Sequence, residues 1–269
     1  MADDTRIIAL IGDPVSHSLS PRMQNAGIGA AGIDATYIAL RTKKSAFAPL
    51  VSELLRNGGA CNITSPFKDD AFALPGEHTE VALRTRSVNC VWGNAERPQL
   101  DNTDVAGLRQ AMRVLLESAD VGTVRIFGTG GSARSAAVAV REEWPDARML
   151  ITSREPSRAM AFLAWAKESL VECAADDTVA DADLAIWARP PAENENDIEG
   201  FPVPGAFLDL NYRAGGTPLV VAHTARRVPA ADGREMLLGQ GTAAFERFFG
   251  VPAPVRVMRA AVEYALDAE

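Results

Sequence analysis

Three short stretches place chemically useful side chains close together along the chain. Ser16-His17-Ser18-Leu19-Ser20-Pro21 brings hydroxyls, Asn62-Ile63-Thr64-Ser65-Pro66-Phe67-Lys68 brings more hydroxyls and an amine, and Asp101-Asn102-Thr103-Asp104 brings carboxylates. Such a set could surround a small polyhydroxylated acid, with hydroxyls donating to its oxygens and an amine moving a proton. Downstream, Gly128-Thr129-Gly130-Gly131-Ser132-Ala133 follows the apolar run Val124-Arg125-Ile126-Phe127 and precedes an alanine-rich helical stretch. Gly128, Gly130 and Ala133 fit G-x-G-x-x-A. In that pattern the first glycine makes the turn, the second admits a pyrophosphate to the backbone, and the small third residue lets the helix pack closely. Gly131 and Ser132 open the helix, whose N–H groups and positive end would face that pyrophosphate. A dinucleotide turn joined to proton-handling groups reads as an oxidoreductase, which moves a hydride while a hydroxyl proton leaves.

Each of these residues also has an ordinary structural reading. A lone lysine such as Lys68 is commonly a solvated charge. Asp104 stands just ahead of an apolar helix face, Val105, Leu108, Met112, Leu115 and Leu116, and could be its N-cap. Ser18 and Ser20 precede Pro21 in the manner of a helix start, His17 shapes their loop, and Asn89 in Val88-Asn89-Cys90-Val91 could be a strand-edge polar group. Ser153-Arg154-Glu155 ends the second strand after the glycine turn. Arg154 there favours a 2′-phosphate, Glu155 a free ribose hydroxyl, and surface pairing would explain both.

The elements that must hold these groups alternate between strand and helix. Arg6 to Gly12, Ala35 to Leu40 and Ala60 to Ile63 read as strands, with helices from Pro21 to about Ala31 and from Ser45 to Asn57 between them. The latter is closed by Gly58-Gly59. Further on, strands near Val124 to Phe127, Arg148 to Thr152, Asp183 to Trp187 and Ala206 to Leu210 alternate with helices starting near Ser132, Pro156 and Thr217. That alternation predicts a parallel, doubly wound sheet. Met236 to Phe249 and Val255 to Ala268 read as closing helices, and Pro190 to Pro204, with four acids and four prolines, as a solvated connection.

Composition bounds the function classes. The chain has 269 residues, 47% of them hydrophobic, enough for one large or two modest cores. A net charge of −8 excludes the basic footprint of a nucleic-acid binder, and no apolar run approaches a membrane span. The acidic start Met1-Ala2-Asp3-Asp4 leads into a strand rather than a targeting segment, so a cytoplasmic location is expected. Cys61, Cys90 and Cys173 are odd in number and widely separated, which predicts reduced, packed thiols and no metal site.

In order and spacing, these motifs resemble the shikimate dehydrogenase family from Gly12 to near the C-terminus. The resemblance is carried by Gly12-Asp13-Pro14, the Ser/His/Ser/Pro loop, Asn62-Ile63-Thr64 with Pro66 and Lys68, and Ser87-Val88-Asn89. It continues through Asn102-Thr103-Asp104 with Gly107, the glycine turn, Thr217-Pro218-Leu219, and Met236-Leu237 through Gln240 to Phe245. It implies a two-lobe α/β protein. Residues 1–104, joined by C-terminal helices at 239–269, would form the substrate-binding and catalytic domain, and 105–238 a Rossmann-type dinucleotide domain, with catalysis in the cleft between them. It implies Lys68 as acid and base, oriented by Asp104, and Ser18, Ser20, Thr64, Asn89, Tyr212 and Gln240 around the substrate. The dinucleotide would rest on Gly128, Gly130, Gly131, Ser132 and Ala133, with Ser153, Arg154 and Glu155 choosing NADP, slightly favoured, or NAD.

The implied reaction interconverts 3-dehydroshikimate and shikimate in a monomer or homodimer. The alternatives are a quinate or aminoshikimate dehydrogenase, or a non-catalytic dinucleotide-binding regulatory module. Three stretches depart from the family pattern: Gln24-Asn25 in place of His-Asn, Trp187-Ala188-Arg189-Pro190 in place of Asn-x-Thr-Pro, and Tyr212-Arg213-Ala214 in place of Tyr-x-Pro.

Overall fold

The computed structural model describes residues 5–117, 120–175 and 180–267; the acidic Met1–Asp4 and the expected last helical residue, Ala268, lie outside them. The chain divides into two compact units, Met1–Asp104 with Leu237–Glu269, and Val105–Met236.

The first unit opens with β1 (Arg6–Gly12), α1 (Ser20–Ala30), β2 (Ala35–Arg41), α2 (Lys44–Arg56) and β3 (Ala60–Ile63). Next come α3 (Lys68–Phe72), β4 (Glu77–His78), α4 (Glu80–Thr85), β5 (Cys90–Gly93), β6 (Pro98–Asp101) and the start of α5 (Asp104–Leu116). The strands form one sheet in the order β2-β1-β3-β5-β6-β4. β1 lies parallel to both β2 and β3, while β5 runs antiparallel to β3 and β6. Ile8, Ala9, Leu10 and Ile11 are all buried, as a continuous apolar strand must be when both faces of its sheet are covered. α2 supplies part of that cover through Phe47, Val51, Leu54 and Leu55. The Phe47 ring stacks on Phe67 with centroids 5.1 Å apart, which anchors the backbone just before Lys68 to the core.

The second unit contains β7 (Thr123–Phe127), α6 (Gly131–Glu143), β8 (Arg148–Thr152), α7 (Pro156–Glu168), β9 (Cys173–Ala175) and β10 (Leu184–Trp187). A 3-10 turn at Glu195–Ile198, β11 (Ala206–Asp209), α8 (Pro218–Ala225) and β12 (Ala230–Ala231) complete it. Its sheet, in the order β12-β11-β10-β7-β8-β9, is parallel throughout. The first and fourth strands of the unit are therefore neighbours, the doubly wound order in which a ligand lies outside the carboxyl ends of that pair.

The segment from Pro190 to Pro204 corrects the expectation of a solvated connection. Its four acids are exposed, but Ala192 is buried and Phe201 meets Phe127 edge-on with centroids 5.0 Å apart. The segment is a cover over an apolar patch that includes Trp187, Phe207 and Leu219.

α9 (Arg234–Phe249) begins in the second unit and continues into the first, where α10 (Val255–Asp267) follows it. Gly27 of α1 marks the approach of these helices, because a side chain there would come within 3.1 Å of Met258 and Phe245. Met258, Val262, Ala265 and Leu266 form the buried stripe of α10, which packs against α1.

Candidate active site

Lys68 is the first residue of α3, and its ammonium is ion-paired with the carboxylate of Asp104, the first residue of α5. Both side chains are largely buried, so neither is a solvated surface charge. The other Asp104 oxygen, Oδ1, accepts from Asn89 Nδ2 at 2.7 Å. Asn89 Oδ1 in turn accepts from the Thr103 N–H at 2.8 Å and the Thr103 hydroxyl at 3.1 Å. The Asp104 carboxylate thus faces a cation and an amide donor, which supersedes its reading as a simple helix cap.

Beneath this pair lies a second layer of buried polar groups that the sequence motifs did not assign. Tyr37 donates through its hydroxyl to Asn62 Oδ1 at 2.9 Å, and Asn62 Nδ2 donates to the Asn89 carbonyl at 3.0 Å. Burial holds the Tyr37 phenol well above its usual pKa, so it stays a donor. Asn62 stands in the Asn62-Ile63-Thr64 motif, which gives it no role; a polar residue inside the buried strand Ala60-Cys61-Asn62-Ile63 was the signal that it has one. Burial also pushes the neighbouring Cys61 thiol up to about 12, leaving it inert. All three cysteines are free.

The serine loop and the Thr64 turn are joined by backbone: Asp13 N–H donates to the Ser65 carbonyl at 2.9 Å, and Thr64 N–H to the Ile11 carbonyl at 2.9 Å. Ser18 Oγ accepts from the Ser20 N–H at 3.2 Å, while Leu19 occupies the N-cap of α1 without a side-chain cap. Neither serine is therefore the helix cap. Gln240, on α9, donates to the Leu237 carbonyl at 2.9 Å; its neighbour Gly241 backs onto Met23 and Gln24 of α1. Gln24 Nε2 donates to the Gly241 carbonyl at 2.8 Å, and Asn25 clasps both backbone groups of Tyr37. Ser18, Ser20, Thr64, Lys68, Asn89, Asp104 and Gln240 belong to the first unit. Tyr212, in the loop after β11, belongs to the second.

In the second unit Gly128 follows β7 at φ +130°, where a side chain would meet the Ala188 carbonyl oxygen at 2.6 Å. Gly130 is the N-cap of α6, without a side-chain cap, and a side chain there would meet nothing within 4 Å. Open space above an uncapped helix start is what a pyrophosphate needs, so these residues fit a dinucleotide. Ala133 is fully buried, as close helix packing requires. Gly131 and Ser132 form the first turn of α6. On the neighbouring turn, Ser153 Oγ accepts from the Glu155 N–H at 3.2 Å, Arg154 is exposed, and Glu155 pairs with Arg158 at 2.9 Å.

Comparison with known proteins gives these two constellations a common setting. Residues 10–91 match the family model for the shikimate dehydrogenase substrate binding domain, and residues 233–263 that for the shikimate 5′-dehydrogenase C-terminal domain. A shikimate dehydrogenase (NADP(+)) of Halorubrum lacusprofundi is 34% identical over 97% of this chain and 99% of its own length. The chain belongs to the shikimate dehydrogenase family. A second relative of the same name, from Methanothrix thermoacetophila, is 33% identical over 97% of this chain and 98% of its own. The crystal structure of shikimate 5-dehydrogenase from Thermus thermophilus in complex with shikimate superposes with a TM-score of 0.84. It is 29% identical and covers 97% of this chain and 98% of that one.

Two family departures acquire a physical description. The Trp187 indole donates to the Pro190 carbonyl at 3.0 Å, closing the turn that carries Arg189. Asn211, beside Tyr212, donates to the Arg189 carbonyl at 3.1 Å. Among the described residues, no helix is long and apolar enough to cross a membrane, and no cluster of three or more His, Cys, Asp or Glu could hold a metal ion.

Proposed function

We propose that the chain is an NADP-dependent shikimate dehydrogenase, reducing 3-dehydroshikimate to shikimate and catalysing the reverse reaction. The observation that carries this reading is the buried Lys68–Asp104 pair braced by Asn89 in a chain of this family. Lys68 Nζ gives a proton to the substrate carbonyl oxygen during reduction and takes the hydroxyl proton during oxidation. Asp104 keeps the ammonium aimed and shares the same substrate hydroxyl. Ser18 and Ser20 donate to the substrate carboxylate, and Thr64, Asn89, Gln240 and Tyr212 meet its ring oxygens. Gly128 to Ala133 and Ser153 to Glu155 would hold a nicotinamide dinucleotide, which supplies or accepts the hydride when bound. In this reading the first unit binds substrate and the second the dinucleotide. The acidic balance and free thiols fit a cytoplasmic location. Retention of both Lys68 and Asp104 speaks against a regulatory module that has lost turnover.

The test is turnover by the wild type and Lys68→Ala with shikimate and quinate, each with NADP and NAD. Wild type is expected to favour shikimate with NADP. Lys68→Ala should lose on the order of 10²–10⁴-fold in kcat with a much smaller change in substrate affinity. Because removing one member of a buried pair also destabilises, thermal unfolding of the variant is measured alongside. A folded Lys68→Ala variant with near-wild-type kcat would remove Lys68 from the mechanism.

A further inference from the structure

β7 and β10 flank the point where the winding of the second sheet reverses. Three turns stand at the carboxyl ends of neighbouring strands there: Gly128–Gly131 after β7, Ser153–Glu155 after β8, and Ala188–Arg189 after β10. The first and third donate to one acceptor, the residue just before the second. The carbonyl of Thr152, the last residue of β8, accepts from the Gly128 N–H at 3.0 Å and from Arg189 Nη2 at 3.0 Å. The Arg189 guanidinium also lies over the rings of Phe127 and Trp187, 5.6 and 5.2 Å from their centroids. Its backbone is held by Asn211, and its turn is closed by the Trp187 indole. Arg189 is thus a half-buried cation seated at the seam between the glycine turn and the turn that carries Arg154 and Glu155.

We infer that Arg189 determines cofactor specificity by binding the 2′-phosphate of the adenosine ribose, a role that rests on the dinucleotide reading above. A dinucleotide whose pyrophosphate sits on the glycine turn has its adenosine ribose at the end of β8. A guanidinium bonded to the last carbonyl of β8 is at that place, and its planar fork matches phosphate oxygens. Arg154, exposed on the adjoining turn, supplies a second positive charge. Glu155, the neighbour that would oppose a phosphate, is engaged by Arg158.

The inference is tested by calorimetric titration of the full chain with adenosine 2′,5′-bisphosphate and adenosine 5′-monophosphate, probes that differ only in the 2′-phosphate and require no turnover. Arg189→Gln is expected to weaken the bisphosphate on the order of tenfold or more, the scale of a charge-assisted hydrogen bond, and to leave the monophosphate unchanged within about twofold. Arg189→Lys, which keeps the charge and loses the fork, should fall between. Thermal unfolding without ligand checks that both variants are folded; if Arg189→Gln is not, Arg189→Lys alone must still weaken the bisphosphate selectively. Equal weakening of both probes, or of neither, would overturn the inference. Wild type that binds both probes equally would overturn it while leaving an NAD-binding site intact, whereas wild type that binds neither would overturn the dinucleotide reading as well.

Discussion

Asp101 and Asp104 stand three residues apart on one short stretch, yet their surroundings give them different tasks. Asp101 accepts from the Thr79 hydroxyl at 2.5 Å and the Asn102 N–H at 2.8 Å, and it pairs with Arg247 at 3.2 Å. It ties α4, the loop before α5 and α9 together. Asp104 is left to face Lys68, with Asn89 as its second donor. The choice of Asp104 over Asp101 was legible in the sequence only through the order of family motifs, since spacing alone cannot say which acid turns toward Lys68. Asn62 and Tyr37 were not legible as members of the site because their contacts run from β2 to β3 and on to Asn89, just before β5. Asn89→Ala should expose this arrangement. It removes a donor from Asp104 and an acceptor from Thr103 in a fully buried place, which costs about 1–3 kcal/mol when groups are left unpaired. The expected outcome is a lower denaturant midpoint with unchanged slope, and a loss of kcat in the protein that remains folded. Wild-type values for both would mean that Lys68 and Thr103 suffice to orient Asp104.

Gly128 and Gly130 belong to the same turn but answer to different constraints. At Gly128 a positive φ and the nearby Ala188 backbone exclude a side chain on structural grounds, because the obstacle is a carbonyl rather than a side chain that can move aside. At Gly130, φ is −84° and the space is open, so nothing in the protein itself requires glycine. Gly128→Ala is therefore expected to lower the melting temperature and dinucleotide affinity together. Gly130→Ala should leave melting nearly unchanged while dinucleotide affinity falls, because its methyl would occupy the room a pyrophosphate needs. Unfolding scans and titration with NADP distinguish the two. Unaltered NADP affinity in folded Gly130→Ala would place the dinucleotide elsewhere. The strand before this turn and the helix after it were legible from an apolar run, a glycine pattern and an alanine-rich stretch. β4, β9 and β12 were not, because two or three residues are too few to show alternation. The cover from Pro190 to Pro204 was misread because its acids dominate the composition, whereas its packing rests on Ala192, Ile198 and Phe201.

Across the molecule, the alternation of strand and helix foretold a parallel sheet in the second unit and an α/β layout in the first, but the antiparallel run from β3 through β5 to β6 needed the fold to reveal it. Its strands are short and joined by stretches with turn and helix residues mixed. The division of the chain also has an energetic side, because each unit keeps its own buried core and its own titrating groups. In the second unit His223 is buried and stacked on Phe207, with centroids 4.0 Å apart, and its Nδ1 lies 2.8 Å from the Leu219 carbonyl. Arg226 beside it and the cavity it lines with Arg125 keep positive charge near the ring. Burial, reinforced by Arg226, lowers the His223 pKa below its usual value, although the Leu219 carbonyl pulls the other way. Below the unfolded value, about 6.5, the unfolded chain then binds a proton that the folded chain resists. Stability from this group is present above that pH and is lost as pH falls toward the lowered folded value. Asp209, whose pKa is raised by burial, acts with the opposite sign, and it is present in wild type and variant alike, so the difference between the two proteins reports His223. The chain has three histidines in all, which keeps the window sparsely populated. His223→Phe preserves a ring against Phe207 and removes the titration. The melting temperature of the wild type should fall more steeply than that of His223→Phe between pH 7.5 and pH 5.5, values chosen at about one unit either side of the unfolded pKa. Parallel curves for the two proteins would show that His223 titrates alike in the folded and unfolded chain.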